Sequence, residues 1–381
     1  GSDIRVSLLR RHLMLIANRK NSDVVLSSVP GRGAYGAGKS KVAGMSFLAP
    51  RALTVAEGDA WERLRPFNEH VLASGETHPF AQKFLDDIRR QFAKPVCDIG
   101  ELRAAMGRAM ADIVLGASDD GKSNPSADIQ VLFRVVQNPV RRKLFGFSYR
   151  GRRLRLYEQL MRRWTGSADS EQTLIARARV HATSVDVDEE ALLEQVPHWM
   201  FTFTGSGTDL LARTLALITS RADVHRRVLD EIKNAGEPST VETVGKLPFL
   251  NACLLETGRL FPPVTRTFHR STSGDDKDDE IVHYFPLLQR DDALGPTVHD
   301  FLPERWLEPT LDEAARSSNL FLRGPRGCPG QDLILFVCRA ASARLLGELH
   351  LSGRSRLLAH DPLPISFPES DARFTAPEET S

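Results

Sequence analysis

The sequence has 381 residues, of which 41% are hydrophobic and 26% are charged, so the chain can bury a large core and is neither disordered nor fibrous. Its 50 Lys and Arg residues nearly balance its 49 Asp and Glu residues, which removes the electrostatic case for a nucleic-acid partner. Four cysteines are too few for a disulfide scaffold and lack metal-finger spacing, which favours a reducing, cytoplasmic location.

Apolar residues at helical spacing, with short β-like segments between them, set the expected secondary structure. This pattern predicts helices over residues 84–92, 99–115, 172–184, 192–220, 221–234, 244–260 and 332–349. Strands are predicted over residues 24–26, 265–269, 281–288 and 363–367. Because helices dominate and neither a repeat nor a long linker divides the chain, we predict a mainly α fold with small β-sheets, in one domain over residues 1–381.

No run of about 18 uncharged apolar residues is present, so the sequence is not expected to span a membrane. The best candidate, residues 199–220, is interrupted by Asp209 and Arg213. The opening Gly1-Ser2 resembles a cloning scar. A truncated N-terminal end and a removed membrane anchor therefore both stay open.

Residues 33–40 read GAYGAGKS, which matches the GxxxxGK[ST] pattern of a phosphate-binding loop. Such a loop needs a preceding strand, a following helix and an aspartate that holds magnesium. The strand predicted at residues 24–26 meets the first requirement, but Gly44 and Pro50 leave room for only a short helix, and no apolar run ends in a suitable aspartate. A flexible glycine-rich loop is favoured, and a nucleotide hydrolase is a remote alternative.

Two stretches concentrate charge of one sign. Residues 141–163 carry nine basic side chains and one acidic side chain, Glu158, whereas residues 275–280 carry five acidic side chains. Like charges repel and seek water, so a solvated surface is the favoured interpretation of both stretches. For the basic stretch, attraction of an acidic substrate, a membrane surface or a partner stays open.

The most informative segment, residues 321–330, reads FLRGPRGCPG. It resembles the haem-binding loop of the cytochrome P-450 family, F-x-x-G-x-R-x-C-x-G, which makes Cys328 the expected thiolate ligand of the haem iron. A helix predicted from Asp332 would favour the thiolate through its N–H groups and dipole. Glycines let backbone approach a flat macrocycle, and an arginine can pair with a propionate. The resemblance thus assigns to haem binding Phe321, Gly324, Arg326 and Gly330. Buried structural roles are expected for Cys97, Cys253 and Cys338.

Two further motifs resemble a buried ion network of the same family. Glu256 and Arg259 match its E-x-x-R, in which the three-residue offset places both side chains on one helix face. Arg305 lies in PERW, which resembles the family's P-E-R-F. The resemblance implies that Arg305 completes a triad with the helical pair and locks this segment beneath the haem.

The resemblance also implies further contacts to haem and substrate. Trp61 and Arg65 match the W-x-x-x-R that contacts a haem propionate, although a surface salt bridge is the alternative for Arg65. His269 falls near a position where many members place a propionate-binding arginine, and the nearby Arg266 and Arg270 remain open for this role. Two residues beyond the E-x-x-R helix match positions that line the substrate pocket in the family, namely Val264 and Thr265.

Residues 192–220 resemble the long helix that crosses the haem face in this family. The segment 204–209, TGSGTD, aligns with A/G-G-x-D/E-T-T, which implies catalytic roles for Thr204, Gly205 and Thr208. The small glycine leaves space for dioxygen, whereas the Thr208 hydroxyl either assists the chemistry or only bonds back to the preceding turn. Gly207 replaces the expected acid, and Asp209 lies about 200° around the helix from it. The source of protons is therefore open.

Together these motifs imply a cytochrome P-450 fold with haem b, iron protoporphyrin IX, between the crossing helix and the helix after Cys328. The implied activity is a monooxygenase that oxidises a small organic substrate with dioxygen. Two electrons would come from a separate electron-transfer protein, either a ferredoxin or a flavoprotein reductase. Because Gly207 replaces the acid, a peroxygenase, or an isomerase or dehydratase with the same haem, is the alternative.

Overall fold

A computed structural model describes residues 3–8, 11–96, 98–116, 128–129, 131–132, 135–136, 138–165, 172–273, 279–308 and 312–375. Its α-helices are Arg19–Leu26, Lys39–Leu48, Gly58–Leu72, Ala81–Gln91, Ile99–Leu115, Pro139–Phe145, Arg150–Thr165, Leu174–Ala182, Glu189–Leu193, Gln195–Thr202, Thr208–Ser220, Ala222–Ala235, Val241–Gly245, Pro248–Leu260, Phe285–Leu288, Glu313–Arg316 and Gln331–Ala343. Two π-helical turns are Phe203–Gly207 and Arg344–Glu348, and short 3-10 turns are Gly146–Tyr149, Asp292–Leu294, Pro303–Trp306 and Gly324–Arg326. The prediction of a mainly α fold with small sheets is confirmed.

The strands form one five-stranded sheet and one two-stranded sheet. In chain order they are β1 (Ile4–Leu8), β2 (Arg11–Ile16), β3 (Tyr35–Ala37), β4 (Arg266–Ser271), β5 (Glu280–Tyr284), β6 (Ser352–Arg354) and β7 (Arg373–Thr375). The larger sheet has the order β1-β2-β5-β4-β3, in which only β2 and β5 run parallel. Strands β6 and β7 form the second, antiparallel pair.

The helix that we call the crossing helix comprises Gln195–Thr202, the π turn Phe203–Gly207 and Thr208–Ser220. Its last segment is apolar on most sides and buries Leu210, Leu211, Leu215 and Leu217, as expected for a helix inside a large core. It contacts the helices Ile99–Leu115, Pro248–Leu260 and Gln331–Ala343. A separate short helix, Glu189–Leu193, precedes it, so the predicted helix over residues 192–220 is divided near its start.

Several boundaries differ from the sequence prediction. Residues 24–26, predicted as a strand, end the helix Arg19–Leu26, which the Asn18 side chain caps. Residues 363–367 form neither helix nor strand, and the predicted strand over 281–288 turns into the helix Phe285–Leu288. Pro248 begins a new helix inside the predicted span 244–260, because proline is favoured in a first helical turn and disfavoured inside a helix.

The glycine-rich segment 33–40 does not have the geometry of a phosphate loop. Residues 35–37 are strand β3, which pairs with β4. At the start of the following helix, the Ser40 N–H and hydroxyl donate to the two Glu280 carboxylate oxygens at 2.7 and 2.8 Å. A carboxylate therefore occupies the anion position that a phosphate would need, and the nucleotide hydrolase alternative loses its structural basis.

Within the described ranges, no helix combines the length and the apolar character that membrane crossing requires. The buried apolar residues form one large core cluster and a smaller one beside the five-stranded sheet, which contains Ile16, Val25, Ile281, Phe285 and Leu288. The crossing helix and the helix Gln331–Ala343 both contribute to the large cluster. The segments that carry the motifs of the candidate site are therefore anchored in one core.

Candidate functional site

Residues 321–330, which we call the cysteine loop, hold Cys328 just before the helix Gln331–Ala343. The Cys328 N–H donates to the Phe321 carbonyl oxygen at 2.8 Å, which closes the loop on itself. Gly324 has φ +60, and a Cβ there would lie 3.1 Å from the Leu26 carbonyl oxygen. Glycine is therefore required at this position both for conformation and for space.

Cys328 differs from the other described cysteines in its exposure. It is exposed, whereas Cys253 and Cys338 are both buried, as predicted for structural cysteines; Cys97 lies outside the described residues. Although the residue is exposed, neighbouring protein atoms desolvate its sulfur and raise the pKa of the Cys328 thiol, and Asp332 adds to the rise, while the Gly330 N–H and Arg65 oppose it. On balance these protein groups favour the thiol form of Cys328, whereas the helix dipole was expected to favour the thiolate.

Arg65 supports the cysteine loop. Its guanidinium donates to the Pro325 carbonyl oxygen at 3.1 Å and to the Gly327 carbonyl oxygen, and it pairs with Glu69 at 2.7 Å. Trp61, one turn earlier on the same helix, is half-buried and packs against the large core. The structure therefore places Arg65 beside the loop backbone, where it positions the segment that carries Cys328.

Four basic side chains influence one another's charge near the loop, and we call Lys41, His198, His269 and Arg326 the basic cluster. Burial and Arg326 lower the pKa of Lys41 to about 8. Burial and Lys41 lower the pKa of His198 to about 3. Burial, followed by the charges of His283, Lys41 and Arg326, lowers the pKa of His269 well below its usual value. The cluster is therefore desolvated, and its positive charge is carried by Arg326 and Lys41 rather than by the two histidines.

The basic cluster has unsatisfied hydrogen-bonding capacity. Within the described part of the chain, the Arg326 Nε, the His198 Nδ1 and both ring nitrogens of His269 are buried without a partner. Arg326 makes one bond, to the Tyr35 carbonyl oxygen at 2.8 Å. Glu57, the acid that acts on Arg326, already pairs with Arg270 at 3.0 Å. Buried polar atoms without hydrogen-bond partners cost free energy. We therefore expect an anionic group to bind at this cluster.

The structure distinguishes the three residues that the sequence left open near β4. Arg270 is committed to Glu57, and Arg266 is exposed with its guanidinium 6.0 Å from the Phe268 ring centre. His269 alone is buried, at 1% exposure, and faces the basic cluster. Val264 and Thr265 are both exposed just before β4.

Sequence reasoning missed Lys41 and His198. The phosphate-loop pattern drew attention to Lys39, which is exposed, whereas the half-buried Lys41 two residues later belongs to the cluster. His198 lies on the crossing helix, far from Lys41 in sequence, and no local motif marks it. Their association depends on how the helix Lys39–Leu48 packs against the rest of the fold.

On the crossing helix, the TGSGT segment over residues 204–208 overlaps the π turn Phe203–Gly207. The Thr208 hydroxyl donates to the Thr204 carbonyl oxygen at 2.7 Å, which is the back-bonding geometry. Gly205 is half-buried, and the Phe203 ring lies 3.2 Å from the position that a Gly330 Cβ would take. The π turn thus brings the candidate catalytic segment close to the cysteine loop; such turns are frequent at functional sites.

Gly207, the position at which the resembling motif has an acid, faces apolar side chains. A Cβ there would lie 2.5 Å from Ile334 Cδ1 and 3.6 Å from Met106 Cε. Asp209 is bound elsewhere, to Arg103 at 3.0 Å and to Arg213 at 3.3 Å. A side chain at position 207 would therefore require Ile334 to move and would enter apolar surroundings, and Asp209 does not replace the acid.

We expect Gly207→Asp to destabilise the protein by about 1–3 kcal/mol, because Ile334 must move and a carboxylate would enter apolar packing. Chemical denaturation measures this loss. In the double variant Gly207→Asp/Ile334→Ala, the smaller side chain at position 334 should relieve the overlap. The carboxylate would still be desolvated. Unchanged stability in the single variant would show that position 207 opens into a polar space.

The three predicted triad residues are in contact. The Arg259 guanidinium donates to both Glu256 carboxylate oxygens at 2.8 and 2.7 Å, and Arg305 Nε donates to Glu256 Oε1 at 3.1 Å. The Trp306 indole N–H donates to Glu256 Oε2 at 2.9 Å. Glu256 and Arg259 are fully buried, and Arg305 also pairs with Asp312, so two carboxylates balance the two arginines.

Comparisons with known proteins agree with this geometry. The cytochrome P-450 family model matches residues 168–351, a range that contains the crossing helix, the triad and the cysteine loop. Cytochrome P-450 monooxygenase cpaH of Aspergillus oryzae is 33% identical over 155 residues, which cover 36% of this chain and 30% of that relative. Cytochrome P-450 monooxygenase 212 of Postia placenta is 23% identical over 279 residues, which cover 64% of this chain and 51% of that relative. The chain therefore matches about a third to a half of the length of these relatives.

The fold also resembles a solved structure over almost its whole length. Retinoic acid-bound cyanobacterial CYP120A1 superposes with a TM-score of 0.75 at 19% identity, covering 98% of this chain and 91% of the other. The likeness establishes a cytochrome P-450 fold. Together with the family-model match over residues 168–351, it supports a cytochrome P-450 family protein, and that family implies a haem cofactor.

The residues present fit a haem. The exposed Cys328 thiol is available as the iron ligand, and the unpartnered nitrogens of Arg326 and His269 are suited to the two propionates. Among the described residues, no group of three or more His, Cys, Asp and Glu side chains could hold a metal ion by itself. An iron bound through one thiolate and a macrocycle is therefore consistent with the donor set.

Proposed function

We propose that this protein is a haem-thiolate monooxygenase that oxidises a small organic substrate with dioxygen and two electrons from a separate ferredoxin or flavoprotein reductase. We take residues 1–381 as one domain for this activity. The observation that carries the proposal is the exposed Cys328 thiol beside a desolvated basic cluster that lacks carboxylates of its own. The monooxygenase names of the relatives support it.

In this proposal, Cys328 holds the iron, and Arg326, His269 and Lys41 hold the propionates, with Trp61 and Arg65 fixing the loop. When bound, haem supplies the redox chemistry that activates oxygen. Phe321 closes the cysteine loop through its carbonyl oxygen, and Gly324 and Gly330 allow its close approach to neighbouring backbone and rings. The electron donor is expected to dock on the Cys328 side.

The oxygen side of the site is assigned to the crossing helix. The Thr208 hydroxyl proton is directed at the Thr204 carbonyl oxygen, so the lone pairs of the Thr208 oxygen are free to accept a proton-bearing water. Gly205 adds no side chain that would crowd such a water. Val264 and Thr265, which are exposed just before β4, are proposed to line the substrate pocket.

A second candidate keeps the haem but uses peroxide, or acts as an isomerase or dehydratase. It is favoured by the apolar packing around Gly207, because no carboxylate can relay protons from that position. In this alternative, peroxide brings both the oxygen and the electrons that a monooxygenase takes from dioxygen and a reductase. Thr208 would then matter less, because two protons need not be delivered from the protein side.

Turnover with dioxygen and a surrogate reductase system, compared with turnover on peroxide alone, separates the two candidates. We expect product with the reductase and substrate oxidation that falls on Thr208→Val, while Thr208→Ser, which keeps the hydroxyl, retains most of it. Products from peroxide alone, at rates insensitive to Thr208→Val, would favour the peroxygenase. A rearranged product without net oxidation would favour the isomerase or dehydratase.

A further inference from the structure

Gln289 is a polar side chain that is fully buried between the helix Pro248–Leu260 and the segment that enters the cysteine loop. Its Nε2 donates to the Arg259 carbonyl oxygen at 2.9 Å. Its Oε1 accepts from the Asn319 N–H at 2.5 Å and from the Ser318 hydroxyl at 3.2 Å. One side-chain amide therefore bridges the backbone of the triad and the backbone just before the cysteine loop.

The two backbone partners fix the orientation of the Gln289 amide. A carbonyl oxygen can only accept and an N–H can only donate, so exchanging Oε1 and Nε2 would break both bonds. Arg259 adds a bond in the opposite direction, because its Nη1 donates to the Gln289 carbonyl oxygen at 3.2 Å. Since the two residues bond reciprocally, a displacement of one must displace the other.

Apolar packing joins the same two segments. A Cβ on Gly258, next to Arg259, would lie 2.3 Å from Leu320 Cδ2, so the Leu320 side chain packs directly against the backbone of the helix. Glycine alone leaves this space. The polar and apolar contacts together hold residues 318–320 against the helix that carries the triad.

The segment that Gln289 anchors leads into a strained turn. Leu322 has φ +60, a left-handed conformation that is unfavourable for any residue except glycine. Its N–H donates to the Asn319 carbonyl oxygen at 3.1 Å, and the Phe321 carbonyl oxygen accepts from the Cys328 N–H at 2.8 Å. Strained backbone persists only where surrounding contacts enforce it. Without the anchor at Asn319, the turn could relax and displace the carbonyl group that holds the Cys328 backbone.

We propose that Gln289 is a positioning residue that couples the buried triad to Cys328. The inference rests on the proposed function, since it concerns the alignment of the sulfur that would ligate the haem iron. Gln289 acts through Asn319 and Phe321 rather than by contact with the sulfur. Hydrogen-bonded neighbours of this kind orient a metal ligand and tune the bond that it forms.

The visible spectrum of reduced, haem-loaded Gln289→Met with carbon monoxide tests the proposal. Methionine has nearly the same length but offers no donor and only a weak acceptor. We expect the ratio of thiolate-ligated to other forms to fall about tenfold, because a buried polar group without its partner costs enough free energy to shift an equilibrium by that factor. Gln289→Glu keeps an acceptor for the Asn319 N–H and should retain most of the thiolate-ligated form.

Gln195 provides a matched control, because it is equally buried and also bridges two backbone groups. Its Oε1 accepts from the Leu53 N–H at 2.9 Å, and its Nε2 donates to the Ala191 carbonyl oxygen at 2.8 Å. Gln195→Met should lower stability to a similar extent but leave the carbon monoxide spectrum unchanged. An unchanged spectrum in Gln289→Met, or equal spectral changes in both methionine variants, would overturn the proposal.

Amide hydrogen exchange of the haem-loaded proteins supplies a second readout, which does not depend on the identity of the iron ligand. Exchange over residues 319–328 should be faster in Gln289→Met than in the native protein and unchanged in Gln195→Met. If the native protein lacks a thiolate spectrum, the proposed function fails, whereas this difference in exchange would still support the coupling. If Gln289→Met does not fold, Ser318→Ala removes the donor at 3.2 Å from Gln289 Oε1 and should produce the same changes in smaller measure; no change in that variant would contradict the inference.

Discussion

The Cys328→Ser variant is expected to lose the absorbance of a thiolate-ligated haem and all oxidation of substrate. Serine is nearly isosteric, so the loop should keep the bond from the residue 328 N–H to the Phe321 carbonyl oxygen. Its hydroxyl, however, is far less acidic than a thiol and is a poor ligand for haem iron at neutral pH. The visible spectrum of the reduced protein with carbon monoxide measures the change directly.

Cys253→Ala serves as the control for this experiment. Cys253 is fully buried, and burial raises the pKa of its thiol, so it cannot supply a thiolate. Its removal should leave the carbon monoxide spectrum unchanged, apart from a modest loss of stability. Retention of the thiolate spectrum in Cys328→Ser, or its loss in Cys253→Ala, would contradict the assignment of the ligand.

The cysteine loop and the Glu256–Arg259 pair were predictable from the sequence because short-range spacing defines them. A three-residue offset on a helix sets Glu256 beside Arg259 whatever surrounds them. What the sequence did not reveal is that Arg259 also donates to the Val298 carbonyl oxygen at 2.8 Å and to those of Gln289 and Asp300 at 3.2 Å. Those bonds depend on the path of the loop before Arg305, which has no periodic pattern.

In the first part of the chain, by contrast, the local sequence predicts the wrong secondary structure. Val24, Val25 and Leu26 form an apolar, β-branched run that predicts a strand, yet the Asn18 cap and packing against the small core make them the end of a helix. Secondary-structure propensity is a weak prior that tertiary contacts override. Strand β2, by contrast, pairs with β5, more than 260 positions along the chain, and no local signal specifies such a pairing.

Arg259→Leu is expected to lower the free energy of unfolding by about 3–5 kcal/mol, because it removes one partner from a fully buried ion pair. Leucine fills part of the space but leaves Glu256 with Arg305 and Trp306 as its side-chain partners. Three backbone carbonyl oxygens lose a donor at the same time. A loss of this size is a large fraction of the stability of an ordinary domain, so a lower yield of haem-loaded protein should accompany it. Chemical denaturation of the purified protein measures the difference.

The pair of Arg316 and Glu313 provides a matched control, since it has the same three-residue spacing and a 3.0 Å contact but is about half-exposed. Arg316→Leu should leave the melting temperature almost unchanged, because exposed ion pairs contribute little. Arg259→Lys keeps the charge but lacks the forked guanidinium, which serves several acceptors at once, so its stability should lie between those of the native protein and Arg259→Leu. Similar stability losses for Arg259→Leu and Arg316→Leu would show that burial of the triad is not what makes it important.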